Sequence, residues 1–120
     1  STMEKMLKTT AKDRVTKIAE HVNGGAGFIM KEELITPDQR GEHCGLLNRI
    51  TLKPNCEIGH HEHHGEAEMY YILEGTGMYE EDGEAVAVEA GDVTYKLKIS
   101  YKVSGSIRNC IGYYCEGKNE

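Results

Sequence analysis

From Gly27 onward the chain is cut by turn chemistry into short apolar runs, and this rhythm restricts its fold more than any other feature. The clearest run begins at Val93, where Val93, Tyr95, Leu97, Ile99, Tyr101 and Val103 alternate with Thr94, Lys96, Lys98, Ser100, Lys102 and Ser104. A period of two places successive side chains on opposite faces, so this pattern predicts a long half-buried strand with Val93 and Tyr95 on its inner side. Asp82-Gly83 suits a two-residue hairpin, which makes Gly77 to Tyr79 and Glu84 to Val88 antiparallel neighbours. Gly27 to Ile35, Cys44 to Lys53 and Met69 to Leu73 are further strand candidates; in the second, Leu46, Asn48, Ile50 and Leu52 share one face. Pro54-Asn55 fits a type II turn, because Pro sets the first central position and Asn tolerates positive φ at the second. Ala90-Gly91-Asp92 marks another turn, and Ser104-Gly105-Ser106 is expected to return the chain into Ile107 to Cys115.

Residues 11 to 21 depart from the rhythm. Val15, Ile18, Ala19 and Val22 fall at helical spacing, which leaves a short amphipathic helix or an N-terminal arm open before Asn23 to Gly27 end the segment. The expected architecture is an all-β barrel or sandwich. With 120 residues it makes one domain, divided into an arm (1–26), a barrel (27–115) and a polar tail (116–120). Met69 to Leu73 is apolar on both faces, so something must cover its outer side, and a homodimer packing barrel on barrel is expected.

Composition narrows the partners. A formal charge of -6 with scattered Lys and Arg argues against nucleic acid and against an anionic membrane surface. No apolar run approaches the ~18 residues that span a bilayer, and no charged-then-apolar leader follows Met3, so the expected address is the cytoplasm. Cys44, Cys56, Cys110 and Cys115 form no Cys-x-x-Cys pair and read as reduced, mostly core-filling thiols.

Four of the six histidines fall within His60-His61-Glu62-His63-His64. On a strand His61 and His63 project to one face while Glu62 points away. Two imidazoles side by side on a barrel wall resist protonation, and a divalent cation gives both lone pairs a partner. Glu68 opens the next strand after a short polar turn and supplies the carboxylate that offsets the ion's charge. The bland alternatives are a solvated His/Glu-rich loop or an accidental nickel-binding surface. Tyr70 shares the parity of Glu68 and either lines the pocket or fills the core. Glu62 and Glu66 are expected in solvent, and His21 and His43 stand alone.

The spacing of these residues resembles a known family. Asn55, five residues, His61-Glu62-His63, four residues, Glu68, six residues and Gly75 is similar to the first motif of the cupins, with Asn55 where that pattern has Gly. Leu73 through Val93 resembles the linker and the start of the second cupin motif. The resemblance implies a double-stranded β-helix, or jelly-roll barrel, with one divalent transition metal ion (Fe, Mn, Ni or Zn) in its mouth. From Gly91, however, the second motif would place Pro, Gly, His and Asn at Leu97, Ile99, Lys102 and Ser106, and no histidine follows His64. Two histidines and one carboxylate then form the site, or His60, Cys110 or Cys115 completes it, or residues after Tyr95 are an altered closing strand pair with a weakened site. The family implies dioxygenase- or isomerase-type chemistry on a small oxygenated metabolite. A non-catalytic small-molecule or metal sensor, and a barrel with a structural role only, remain as alternatives.

Overall fold

The computed structural model describes residues 5–42, 44–63, 66–81, 83–96 and 99–115, with positions 62, 63 and 99–115 described by their backbone alone. The strands are β1 (Thr16–Glu20), β2 (Phe28–Ile35), β3 (Cys44–His63), β4 (Glu66–Glu81), β5 (Glu84–Glu89), β6 (Val93–Lys96) and β7 (Ile99–Cys115). They form one seven-stranded sheet in the order β1-β2-β3-β7-β4-β5, with β6 pairing β4 as well. The expected all-β architecture is what forms.

The sheet closes on itself because its long strands bend. The register partners of His61 and Glu68 on β7 are Tyr101 and Tyr113, and twelve residues of straight strand would part them by about 40 Å. His61 Nε2 and Glu68 Oε1 nevertheless lie 3.7 Å apart. One bend falls between Leu52 and Cys56, where β3 advances four residues against two on β7. Asn55 sits there at φ 68, so Pro54-Asn55 does take the left-handed geometry read from the sequence, but as a bulge inside a continuous strand and not as a chain-reversing turn.

The interior is filled by Ile29, Ile50, Leu52, Cys56, Ile58, Tyr70, Ile72, Tyr79 and Val88. Asn48, Ile50 and Leu52 are buried, as their shared face predicts. Cys56 is a free thiol within this core and Cys44 a half-buried one, while the side chains of Cys110 and Cys115 lie outside the described residues. A hairpin joins β4 to β5, with Glu81 opposite Glu84 and Gly83 at φ 80, while Asp82 lies outside the described residues.

One open alternative closes and two expectations are corrected. Residues 11 to 21 form no α-helix: Ala11–Asp13 is a single 3-10 turn, and Thr16–Glu20 is strand β1, paired antiparallel to β2. The free edge of β2 supplies hydrogen bonds that an isolated eleven-residue helix would have to provide alone. Ser104-Gly105-Ser106 does not reverse the chain. Gly105 pairs with Cys56 on one side and Gly77 on the other, so the backbone there is engaged at both edges and β7 continues through it. Finally, Val93 and Tyr95 face outward, at 64% and 59% exposure, while Thr94 and Lys96 take the inner side. Thr94 lies opposite Tyr70 and Lys96 opposite Glu68, both buried, and direct cross-strand partners share a face. Leu97 and Lys98 lie outside the described residues.

Candidate functional site

The histidine-bearing end of β3 would face the wrong way without a one-residue bulge. Cys56 and Ile58 point into the core, so uninterrupted alternation would send His60 inward. Between Ile58 and His61 the strand instead advances three residues while β7 advances two, from Val103 to Tyr101. Parity reverses there. His60 is exposed, and the His61 side chain is turned in with 10% exposure.

Two glycines make this bulge possible. A Cβ on Gly59 would stand 2.0 Å from the Asn23 carbonyl oxygen, and one on Gly25 would stand 2.3 Å from the Glu57 carbonyl oxygen. The loop at 21–27 is therefore pressed onto β3 backbone to backbone. It is held by the Glu57 N–H donating to the Ala26 carbonyl at 2.8 Å and by the Ala26 N–H donating to the Glu57 side chain at 3.2 Å. His21, exposed on the sequence side of this loop, uses its Nδ1 only to reach the Gly25 carbonyl at 3.2 Å.

His61 Nδ1 lies 3.0 Å from the Gly59 carbonyl. A carbonyl only accepts, so Nδ1 carries a proton and Nε2 is the ring nitrogen that faces Glu68. The Glu68 side chain has no exposed surface. Burial works against a charge on His61, but the Glu68 carboxylate, the Gly59 carbonyl and the negative charge of Glu68 together raise its pKa above the usual 6.5. An imidazole nitrogen and a buried carboxylate oxygen at this spacing fit a divalent transition ion. Donors at about 2.1 Å from one ion can be separated by at most roughly 4.2 Å. His63 follows two positions along the same strand, opposite Ile99, and its side chain lies outside the described residues. Among the described residues no group of three His, Cys, Asp or Glu side chains is gathered. Of the alternative donors, Cys110 pairs with Tyr71 and Arg49, and Cys115 with Glu66, one step short of Ala67.

Beside Glu68 a cavity of about 250 Å³ is lined by Glu68, Tyr79, Val86, Thr94, Tyr95 and the ion pair of Lys96 with Glu81. Glu68 and Tyr79 form its buried part, and Lys96 and Glu81 its partly exposed part. Burial pushes the Tyr79 hydroxyl well above its usual range, against a hydrogen bond with Thr94, and the charge of Glu68 adds to the rise. Tyr79 is thus a neutral donor at any physiological pH. Tyr70 belongs to the core: it is 1% exposed and stands edge-on to Tyr79, with centroids 5.2 Å apart. Tyr79, Thr94 and Lys96 were invisible as site residues in the sequence. A parity break at Ile72–Glu74 turns Tyr79 inward, and the β6 register turns Thr94 and Lys96 inward.

Residues 48–96, which include the bulge, His61, Glu68 and this chamber, match the family model described as a cupin domain. That stretch is similar to cupin domains. An oxalate-binding protein of Thermotoga maritima is 35% identical over 75 residues, a stretch spanning 62% of this chain and 62% of that protein. A solved structure of a predicted oxalate decarboxylase from Thermotoga maritima superposes on the cupin fold with a TM-score of 0.82 at 23% identity, covering 92% of this chain and 100% of that one. The polyketide cyclase RemF from Streptomyces resistomycificus gives a TM-score of 0.72 at 18% identity over 95% of this chain and 82% of that one. At these identities the two structures establish the shared cupin barrel. Among the described residues no helix is long and apolar enough to cross a membrane.

Proposed function

We propose that this protein holds one divalent transition metal ion through His61, His63 and Glu68 and binds a small oxygenated metabolite, of the size of a short carboxylic acid, against it. The observation that carries this reading is the buried Glu68 carboxylate facing an imidazole whose Nδ1 is held by the Gly59 carbonyl. The ion, when bound, supplies Lewis acidity and coordination positions open to a ligand. The chain's own residues do the rest. Glu68 offsets the ion's charge, Gly59 orients His61, and the hydroxyls of Tyr79 and Thr94 offer hydrogen bonds in a chamber whose inner end is shielded from water. The similarity to an oxalate-binding protein supports a short carboxylic acid as ligand. We further propose that two copies associate through the outward face of β4 and β6.

Metal analysis of the protein loaded anaerobically with iron(II), manganese, nickel or zinc should find close to one ion per chain. His63→Ala should lose most of it. Equal emptiness of both proteins would remove this reading and leave a structural barrel. Oxygen uptake with diketones or thiols, beside a sugar-isomerase assay, would separate a catalyst from a binder.

A further inference from the structure

Lys96 is the one inward-turned lysine of the described chamber lining, and the alternation of the sequence gave no sign of it. Its register position is opposite Glu68, so its stem starts on the inner face of the sheet, and its ammonium reaches Glu81 at the far end of β4. Both side chains are partly exposed, at 37% and 39%, which leaves room for Glu81 to swing into solvent. A lysine held on the inner face gives up part of its hydration, and the neighbouring carboxylate compensates.

We propose that Lys96 is the residue that selects an anionic ligand in this chamber, and that Glu81 is the counter-ion an entering carboxylate displaces. The inference rests on the small-ligand reading of the site and names its ligand class as a short carboxylate carrying one charge for the metal end and one for Lys96. The dimensions agree: about 250 Å³ admits an acid of a few carbon atoms. The hydroxyls of Tyr79 and Thr94 line the wall between the two ends, where the ligand's remaining oxygen atoms would lie. The exchange is a swap of ion pairs. The Lys96–Glu81 contact breaks, Lys96 pairs with the ligand carboxylate, and Glu81 gains water, with no proton or electron transferred.

Calorimetric titration of the metal-loaded protein with oxalate, and with uncharged oxamide as its isostere, tests this. The parent should prefer oxalate. Lys96→Met should weaken oxalate at least tenfold, Lys96→Arg should retain most of the affinity, and Glu81→Gln should tighten it several-fold by removing the competing carboxylate. Metal content should stay the same in all four proteins. A gain in Glu81→Gln cannot arise from misfolding, so that variant guards against a trivial loss in Lys96→Met. The inference is overturned if the metal-loaded parent shows no preference for oxalate over oxamide, or if Lys96→Met and Glu81→Gln both bind oxalate as the parent does. A parent that takes up no metal sinks the metal reading instead, and the same titration of the metal-free protein then decides on Lys96.

Discussion

Glu32 is a charged residue with 8% exposure, and its position shows how single side chains tie the N-terminal arm to the barrel. Arg14 Nε donates to Glu32 Oε2 at 2.9 Å, Arg49 Nε donates to Glu32 Oε1 at 2.8 Å, and Arg14 also donates to Thr9 Oγ1 at 2.8 Å. The Arg14 hydrogen bond lowers the Glu32 pKa below its usual 4.5; burial opposes this, and Arg49 adds to the lowering. A carboxyl group whose pKa is depressed by folding stabilises the protein above its unfolded-state pKa, and this contribution is lost as pH falls through the folded value. Urea midpoints should therefore be flat near neutrality and drop below about pH 4.5. Glu32→Gln should lower the neutral midpoint and flatten the acid limb; an acid limb of unchanged steepness would show that Glu32 is not the group responsible. At this scale the sequence was legible where residue type implies chemistry. His61 and Glu68 come together as their types suggested, whereas Lys96 and Tyr79 went unread because which way each points depends on bulges elsewhere in the strands.

Elements were read well wherever a local turn or a simple alternation decided them, as in the hairpin at Gly83 and the inner face from Asn48 to Leu52. They were left open or misread where a neighbouring strand overrode the local pattern. The spacing from Val15 to Val22 left helix or arm open until β2 offered β1 an edge, and Gly105 looked like a turn until β3 and β4 engaged both its sides. The approach of the 21–27 loop to β3 is another feature with no local signature, since Gly25 and Gly59 are 34 positions apart, yet it sets the bulge that turns His61 inward. A methyl group on Gly59 would meet backbone atoms of Asn23 and Gly25 at 2.0 to 2.9 Å, and backbone cannot yield as a flexible side chain can. Gly59→Ala should destabilise the fold by about 2–3 kcal/mol, within the range of overpacked interiors. It should also weaken metal uptake in the protein that remains folded, because the carbonyl that orients His61 must shift. A variant with the parent's urea midpoint would mean that the loop moves aside freely, contrary to its two hydrogen bonds.

For the molecule as a whole, the outer side of β4 and β6 is the feature that a lone barrel does not explain. Met69, Tyr71, Val93 and Tyr95 are 40%, 50%, 64% and 59% exposed, and they are cross-strand partners, Met69 with Tyr95 and Tyr71 with Val93. They form one contiguous quartet and not scattered apolar residues of the kind any surface carries. The both-faces-apolar run at Met69 to Leu73 pointed to covering from outside, and the reversed parity of β6 strengthens that argument by moving Val93 and Tyr95 to the same side. A second copy is the simplest cover, since a two-fold axis through the quartet sets the same apolar patch against itself. Sedimentation velocity at micromolar concentration should find a dimer, and Tyr71→Lys should shift it to monomer by placing unpaired like charges about the axis, each without a partner. Because Tyr71 faces away from Glu68, the monomer should keep its metal content. A parent that sediments as a monomer would end the dimer proposal while leaving the chamber's Glu68, Tyr79, Thr94 and Lys96 untouched, since of the quartet only Tyr95 also borders the chamber.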